Sequence, residues 1–215
     1  MLNLDVFLPR LLPSVNGCPE PLARQALIDS AIEFCEETGI VRVTTDPTPL
    51  QPGVATYSVD LPASQATVQI QRAWYGPREL TAAPDSQITA VKAYVTDPNA
   101  AFEQIPLYFH ESAPGEVALY PTPGLGATNS LVLRVSTKPT RSATSVEDIL
   151  YEDWAEAIVS GALRRVHAVP DTPFYSVNES ARHGSLFQLG INRARSESIR
   201  GRVRTSVSVA PRAFR

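Results

Sequence analysis

The stretch from Ser145 to Pro170, SVEDILYEDWAEAIVSGALRRVHAVP, decides how this chain is read. Leu150, Trp154, Ala157, Ile158, Gly161, Ala162 and Val166 recur at steps of three and four, the spacing that gathers side chains on one face of a helix. Ser145, with Asp148 three residues on, resembles a capping box in which Asp replaces the usual Glu. Pro170 ends the run. The reading is therefore one helix with one apolar stripe. A glycine inside a helix costs about 1 kcal/mol against alanine. Gly161 is therefore expected to allow close approach of a second helix, the one at residues 20–38, and Trp154, Ala157, Ile158 and Gly161 are the expected packing residues.

That second helix lies in PEPLARQALIDSAIEFCEETG, residues 19–39, where Leu22, Ala26, Leu27, Ala31, Phe34 and Cys35 share a face. Pro19 and Pro21 suit a first turn, whose N–H groups have no helical partner, and Gly39 suits a stop. Glu36 and Glu37 near the end oppose the helix dipole, so packing must hold the last turn. A third helix opens on a cleaner capping box, Ser176 to Glu179, and carries Phe187 and Ile191 one turn apart, with Leu186 beside them. Gly184 and Gly190 weaken it.

Between residues 40 and 138 the period changes. IVRVTT, ATYSVDLP, TVQIQRAWY, AVKAYVT, IPLYFHE, EVALYP and SLVLRVSTKP are short, rich in β-formers and bounded by Pro, Gly, Asp or Asn. They read as six or seven short antiparallel strands of a small sandwich or barrel-like unit. The fold class expected is α+β: a small helical bundle of three main helices with a β-rich insertion and an extended C-terminal arm. Its expected units are residues 1–39, 40–140, 141–200 and 201–215. Nineteen prolines against eleven glycines, in 215 residues, favour stiff turns and extended connections.

Little in the chain points to chemistry. His110, His167 and His183 lie in no zinc-binding spacing, and there is no CxxC, nucleophile elbow or phosphate-binding lysine loop. The GLG at 124–126 sits between strand candidates and reads as a turn. Glu147, Asp148, Glu152, Asp153 and Glu156 lack the Glu-x-x-His partner of a carboxylate metal site, and read as a solvated or subunit-facing acidic face. Cys18 and Cys35 read as reduced thiols. No apolar run approaches the ~20 residues that span a bilayer. The opening MLNLDVFLPRLLPSV carries Asp5 and does not read as a signal peptide. No enzyme activity, cofactor, metal or membrane partner is expected.

Charge is placed unevenly. Residues 193–215 hold Arg193, Arg195, Arg200, Arg202, Arg204, Arg212 and Arg215 against Glu197, a net of +6; the overall −3 therefore leaves −9 on residues 1–192. Such a split marks a tail that docks on something acidic. Val203, Val207, Val209 and Phe214 alternate with the arginines, so the segment offers apolar anchors as well as forked cations. Three readings compete: a solubilising end, a nucleic-acid arm and a protein-docking arm.

Beyond these patterns, LLPSVNGCPEPLARQALIDSAIEFCEETG resembles the opening of tailed-bacteriophage head-to-tail adaptor (connector) proteins. DPTPLQPGVATYSVDLP, AWYGPRELT, KPTRSATSVEDILYEDWAEAIVSGALRRVHAVPDTPFYS and FQLGINRARSESIRGRVR resemble the same proteins in the same order. The resemblance implies a structural virion protein at the head–tail junction, made in the host cytoplasm. It implies a ring, typically of twelve copies, between the portal protein and a tail or nozzle protein, with genomic DNA passing through the channel. The free protein is expected to be a monomer. The portal-docking arm is expected to use Arg195, Arg200, Arg202, Arg204, Val207, Val209, Arg212, Phe214 and Arg215. The alternative is a nucleic-acid-binding protein that uses the basic arm.

Overall fold

The computed structural model describes residues 1–84, 86–87 and 105–200. The expected strand AVKAYVT and the segment from residue 201 onward lie outside the described residues. Eleven strands and five α-helices are described: β1 (Leu2–Asn3), α1 (Leu8–Leu11), α2 (Glu20–Thr38), β2 (Arg42–Thr44), β3 (Thr48–Pro49), β4 (Thr56–Ser58), β5 (Gln65–Tyr75), β6 (Arg78–Glu79), β7 (Thr81–Ala82), β8 (Tyr108–Ala113), β9 (Glu116–Tyr120), β10 (Ser130–Pro139), β11 (Ser145–Val146), α3 (Asp148–Glu152), α4 (Ala155–Val166) and α5 (Val177–Arg200).

The strands form three sheets. One runs β2-β10-β5-β6, with β3 also on β10; the second runs β4-β9-β8-β7; the third is the pair β1-β11. Leu131, Leu133 and Val135 of β10 meet Ile70, Ala73 and Tyr75 of β5 and Phe109, Val117 and Leu119 of the second sheet in one apolar cluster. Along β10 burial alternates through Leu131, Leu133 and Val135 and then becomes continuous over Ser136 and Thr137. The change marks where the end of α2 covers the other face: a Cβ built on Gly39 would lie 3.7 Å from that of Ser136. Gly39 itself takes the left-handed conformation, φ 54°, and its N–H donates to Cys35 O, the αL stop that only a residue without a Cβ accepts easily.

The second core lies among α2, α4, α5 and the N-terminal turns. Phe34, Leu27, Ile158, Phe187 and Ile191 are fully buried there, joined by Phe7, Leu11 and Val15. The ring of Phe34 packs on Trp154 (centroids 5.5 Å apart) and on Phe187 (6.3 Å). Ser30 and Thr38 are tolerated inside because their hydroxyls donate back to Ala26 O (2.7 Å) and Phe34 O (2.6 Å). At the half-buried edge, Glu33 accepts from both Arg164 (2.6 Å) and Arg165 (2.5 Å), tying α2 to α4.

These observations correct the expected fold class. The chain is a β-rich fold with three sheets and five described helices; it is not a three-helix bundle carrying a β-insertion. The single helix expected from Ser145 does not form. Ser145 and Val146 pair with Asn3 and Leu2 as β11 on β1, so Ser145 is held in a ladder and Glu147 takes the N-cap position without a side-chain capping bond, its carboxylate accepting instead from Gln65 Nε2. The helix then breaks at Asp153 and Trp154, where Trp154 leaves helical geometry at φ −128°, ψ 13°. A three-to-four residue spacing survives so short a break, which is why the stripe looked continuous. The break also puts Glu152 and Glu156 on separate helices. Not every strand pair is antiparallel, since β7 runs parallel to β8, and β5 and β10 are long, at 11 and 10 residues. The first eighteen residues contribute Leu4, Phe7, Leu8, Leu11 and Val15 to the core.

Candidate docking surface

The C-terminal half of α5 carries the start of the arginine-rich segment, and the structure pins it to the body from two sides. Nε of Arg195 donates to Glu37 O at 2.7 Å while its Nη2 pairs with the Glu37 carboxylate. Arg42, at the start of β2, donates Nη2 to Ser198 O (2.8 Å) and Ser198 Oγ (2.5 Å). Burial, and then the neighbouring Arg134 and Arg72, hold the Arg42 guanidinium below its ordinary pKa. On the other side of the same helix end, Lys138 of β10 pairs with Glu36 at 2.5 Å. The two acids that oppose the dipole of α2 are thus each met by a cation from a distant segment. The signal was in the sequence, as two unexplained acids at a helix C-terminus, but nothing in it named Lys138 or Arg195 as their partners.

A groove opens between the α3–α4 junction and α5. Asp153, Trp154, Glu156, Ala157 and Ser160 line one side, and Leu186, Leu189, Gly190 and Arg193 the other. Its floor is close-packed: a Cβ on Gly190 would stand 2.6 Å from Ala157 Cβ. Arg193 lies over the Trp154 ring, 5.7 Å from the centroid, in cation–π geometry. Leu186 and Leu189, three apart on α5, are 44% and 66% exposed.

Of the packing residues expected from the sequence, Trp154 and Ile158 are buried, Trp154 against Phe34. Gly161 is approached from two helices: a Cβ there would meet the Phe187 ring at 2.8 Å and Ser30 Cβ at 3.1 Å. Ala157 faces Gly190 of α5. Of the expected docking residues, Arg195 is on α5 with its guanidinium engaged by Glu37, and Arg200 is the last residue of α5. Arg202, Arg204, Val207, Val209, Arg212, Phe214 and Arg215 lie outside the described residues.

Elsewhere, chemistry-bearing groups are dispersed. The imidazoles of His167 and His183 stack at 5.8 Å, and His167 Nδ1 bonds Phe174 O at 2.7 Å. Both cysteines are free thiols, and burial pushes the Cys35 thiol up to about 12. No described group of three or more His, Cys, Asp or Glu is placed to hold a metal, and no described helix is long and apolar enough to cross a membrane.

What these features define is a protein with structured packing faces, an acidic body and a basic end. The family model for the SU10 adaptor protein matches residues 11–212, nearly the whole chain. The chain belongs to the SU10 adaptor protein family, and its role is that of a structural phage adaptor at the head–tail junction of the virion. No curated protein matches it.

Proposed function

We propose that the protein docks on the portal through its C-terminal arm, joins capsid to tail, and lines part of the DNA channel as a ring of copies. It works by binding and not by catalysis. The observation that carries this reading is the charge split, +6 on residues 193–215 against −9 on the rest. An arm of arginines and valines suits an acidic, partly apolar protein surface, because guanidinium forks grip carboxylates in two-point fashion. The acidic body suits a channel through which DNA slides without adhering, since like charges repel. The same repulsion favours a monomer until the portal gathers the copies.

The test is co-sedimentation of purified portal with full-length protein and with a variant lacking residues 202–215, at two salt concentrations. The expected result is a folded truncated protein that no longer sediments with portal. Unchanged binding by the truncated protein would overturn the docking reading. If the full chain binds duplex DNA instead, with log affinity falling linearly in log salt, the arm is a nucleic-acid arm.

A further inference from the structure

We propose that copies of this chain touch by seating the outer face of the β2-β10-β5 sheet of one, around Arg72 and Arg134, on the groove of the next, edged by Glu152, Glu156, Leu186 and Leu189. The proposal deepens the ring reading above and rests on it for its setting, since it names the two faces through which neighbouring copies meet.

The basic face is built by the ladder. Leu131, Leu133 and Val135 point into the core shared with the second sheet, so alternation turns Val132 and Arg134 outward. Arg134 stands directly opposite Arg72 of β5, and Val132 directly opposite Trp74. Arg42 of β2 stands opposite Ser136, and it lines one depression together with Arg134. Like charges directly opposite in a ladder repel. Among the described residues, the one acid paired with any of these three arginines is Glu79, 3.5 Å from the exposed Arg72. The crowding is felt at Arg42, whose pKa is lowered by burial first and then by Arg134 and Arg72. A cationic pair thus lies beside an apolar pair, the half-buried Val132 and Trp74. The face calls for a partner that brings carboxylates and apolar surface together.

The groove brings both. Glu152 and Glu156 are exposed, and so are Leu186 and Leu189. Two carboxylates can meet two guanidiniums while two leucines meet a valine and a tryptophan, and buried tryptophan and arginine are the residues that dominate interfaces. Duplex DNA would suit the arginines alone. Glu147 and Glu197 line the depression with Arg42 and Arg134, and the body around it carries −9, so a long polyanion is repelled on every side of a small patch. The two faces differ, so the contact is heterologous: each copy gives one face to each neighbour, the arrangement that can close a ring.

Such a contact need not hold in dilute solution. Copies held side by side work at a millimolar effective concentration, where a weak contact is populated.

The test is sedimentation equilibrium of the full chain, up to about 1 mM at low salt. It compares wild type, Arg72→Glu/Arg134→Glu, Glu152→Arg/Glu156→Arg, an equimolar mixture of these two variants, and a chain with all four changes. Wild type should associate weakly, and less as salt rises. Each reversal should weaken association roughly tenfold, and the mixture and the four-change chain should recover it to within about threefold. Arg72→Gln/Arg134→Gln, which places no new charge on the sheet, should lie between wild type and reversal and keeps the test open if a reversal disturbs the fold. Wild-type association in both reversed variants, loss without recovery in the mixture, or a wild type that stays monomeric throughout would each overturn the proposal. So would an Arg72→Glu/Arg134→Glu protein that still associates but loses duplex DNA, which would make the face a nucleic-acid surface. Association and rescue without attachment to portal would sink the docking reading and leave this contact standing.

Discussion

Arg195 grips Glu37 twice, through the main-chain carbonyl that ends α2 and through the side-chain carboxylate that opposes that helix's dipole. One side chain thus caps one helix and anchors another, α5, at the point where the arginine-rich segment begins.

Arg195→Ala should therefore destabilise the protein by about 1 kcal/mol, near the upper end for an exposed pair, because a capping bond is lost with the ion pair. Arg195→Lys should recover only part, since lysine keeps the charge without the fork. Urea unfolding of the three proteins measures both. Equal midpoints for Arg195→Ala and wild type would show that the pair contributes nothing.

Gly161→Leu should cost about 1–3 kcal/mol by overpacking. Even the first added carbon would stand 2.8 Å from the Phe187 ring and 3.1 Å from Ser30, in a core with no slack. A melting temperature within a degree of wild type would contradict the close approach.

Gly190→Ala should also destabilise, although alanine is the better helix former by about 1 kcal/mol. Its Cβ would come within 2.6 Å of Ala157 Cβ. Ala157→Gly in the same chain removes the clashing partner and should restore stability. A double variant no more stable than Gly190→Ala alone would place the damage elsewhere.

Acid should weaken the α4–α5 contact through His183. Burial, then the neighbouring His167, and Arg182 hold its imidazole below the ordinary histidine pKa, against the opposing pull of Glu179. The unfolded chain, with a histidine pKa of about 6.5, takes the proton first as pH falls. The stability His183 contributes is therefore complete above about pH 6.5 and is lost progressively below it, down to the folded pKa. Urea midpoints at pH 7.5 and 5.5 should fall further for wild type than for His183→Gln. Equal falls would remove His183 from the pH response.

Several elements were legible because their signals are local. Gly39 stops α2 in the left-handed conformation, and the Ser176 hydroxyl receives the Glu179 N–H at 3.3 Å at the start of α5, both as residue type and spacing suggest. The alternating apolar residues of β5, β9 and β10 named strands for the same reason. The groove was not legible. Leu186 sits one residue from Phe187, and only the placement of α4 decides that Phe187 is buried while Leu186 is exposed.

By itself, the sequence determined the charge division, the start and stop of α2, most strand segments and the resemblance that family membership bears out. Tertiary structure decided the rest. Ser145 reads as a helix cap until β1, more than 140 residues earlier, offers a strand edge, and pairing with that edge outweighs a single capping bond. Trp154 reads as mid-helix until Phe34 offers its ring a place in the core, and the helix breaks there. In both cases two segments distant in the chain compete with a local preference of about a kilocalorie per mole, and burial or pairing on contact exceeds it.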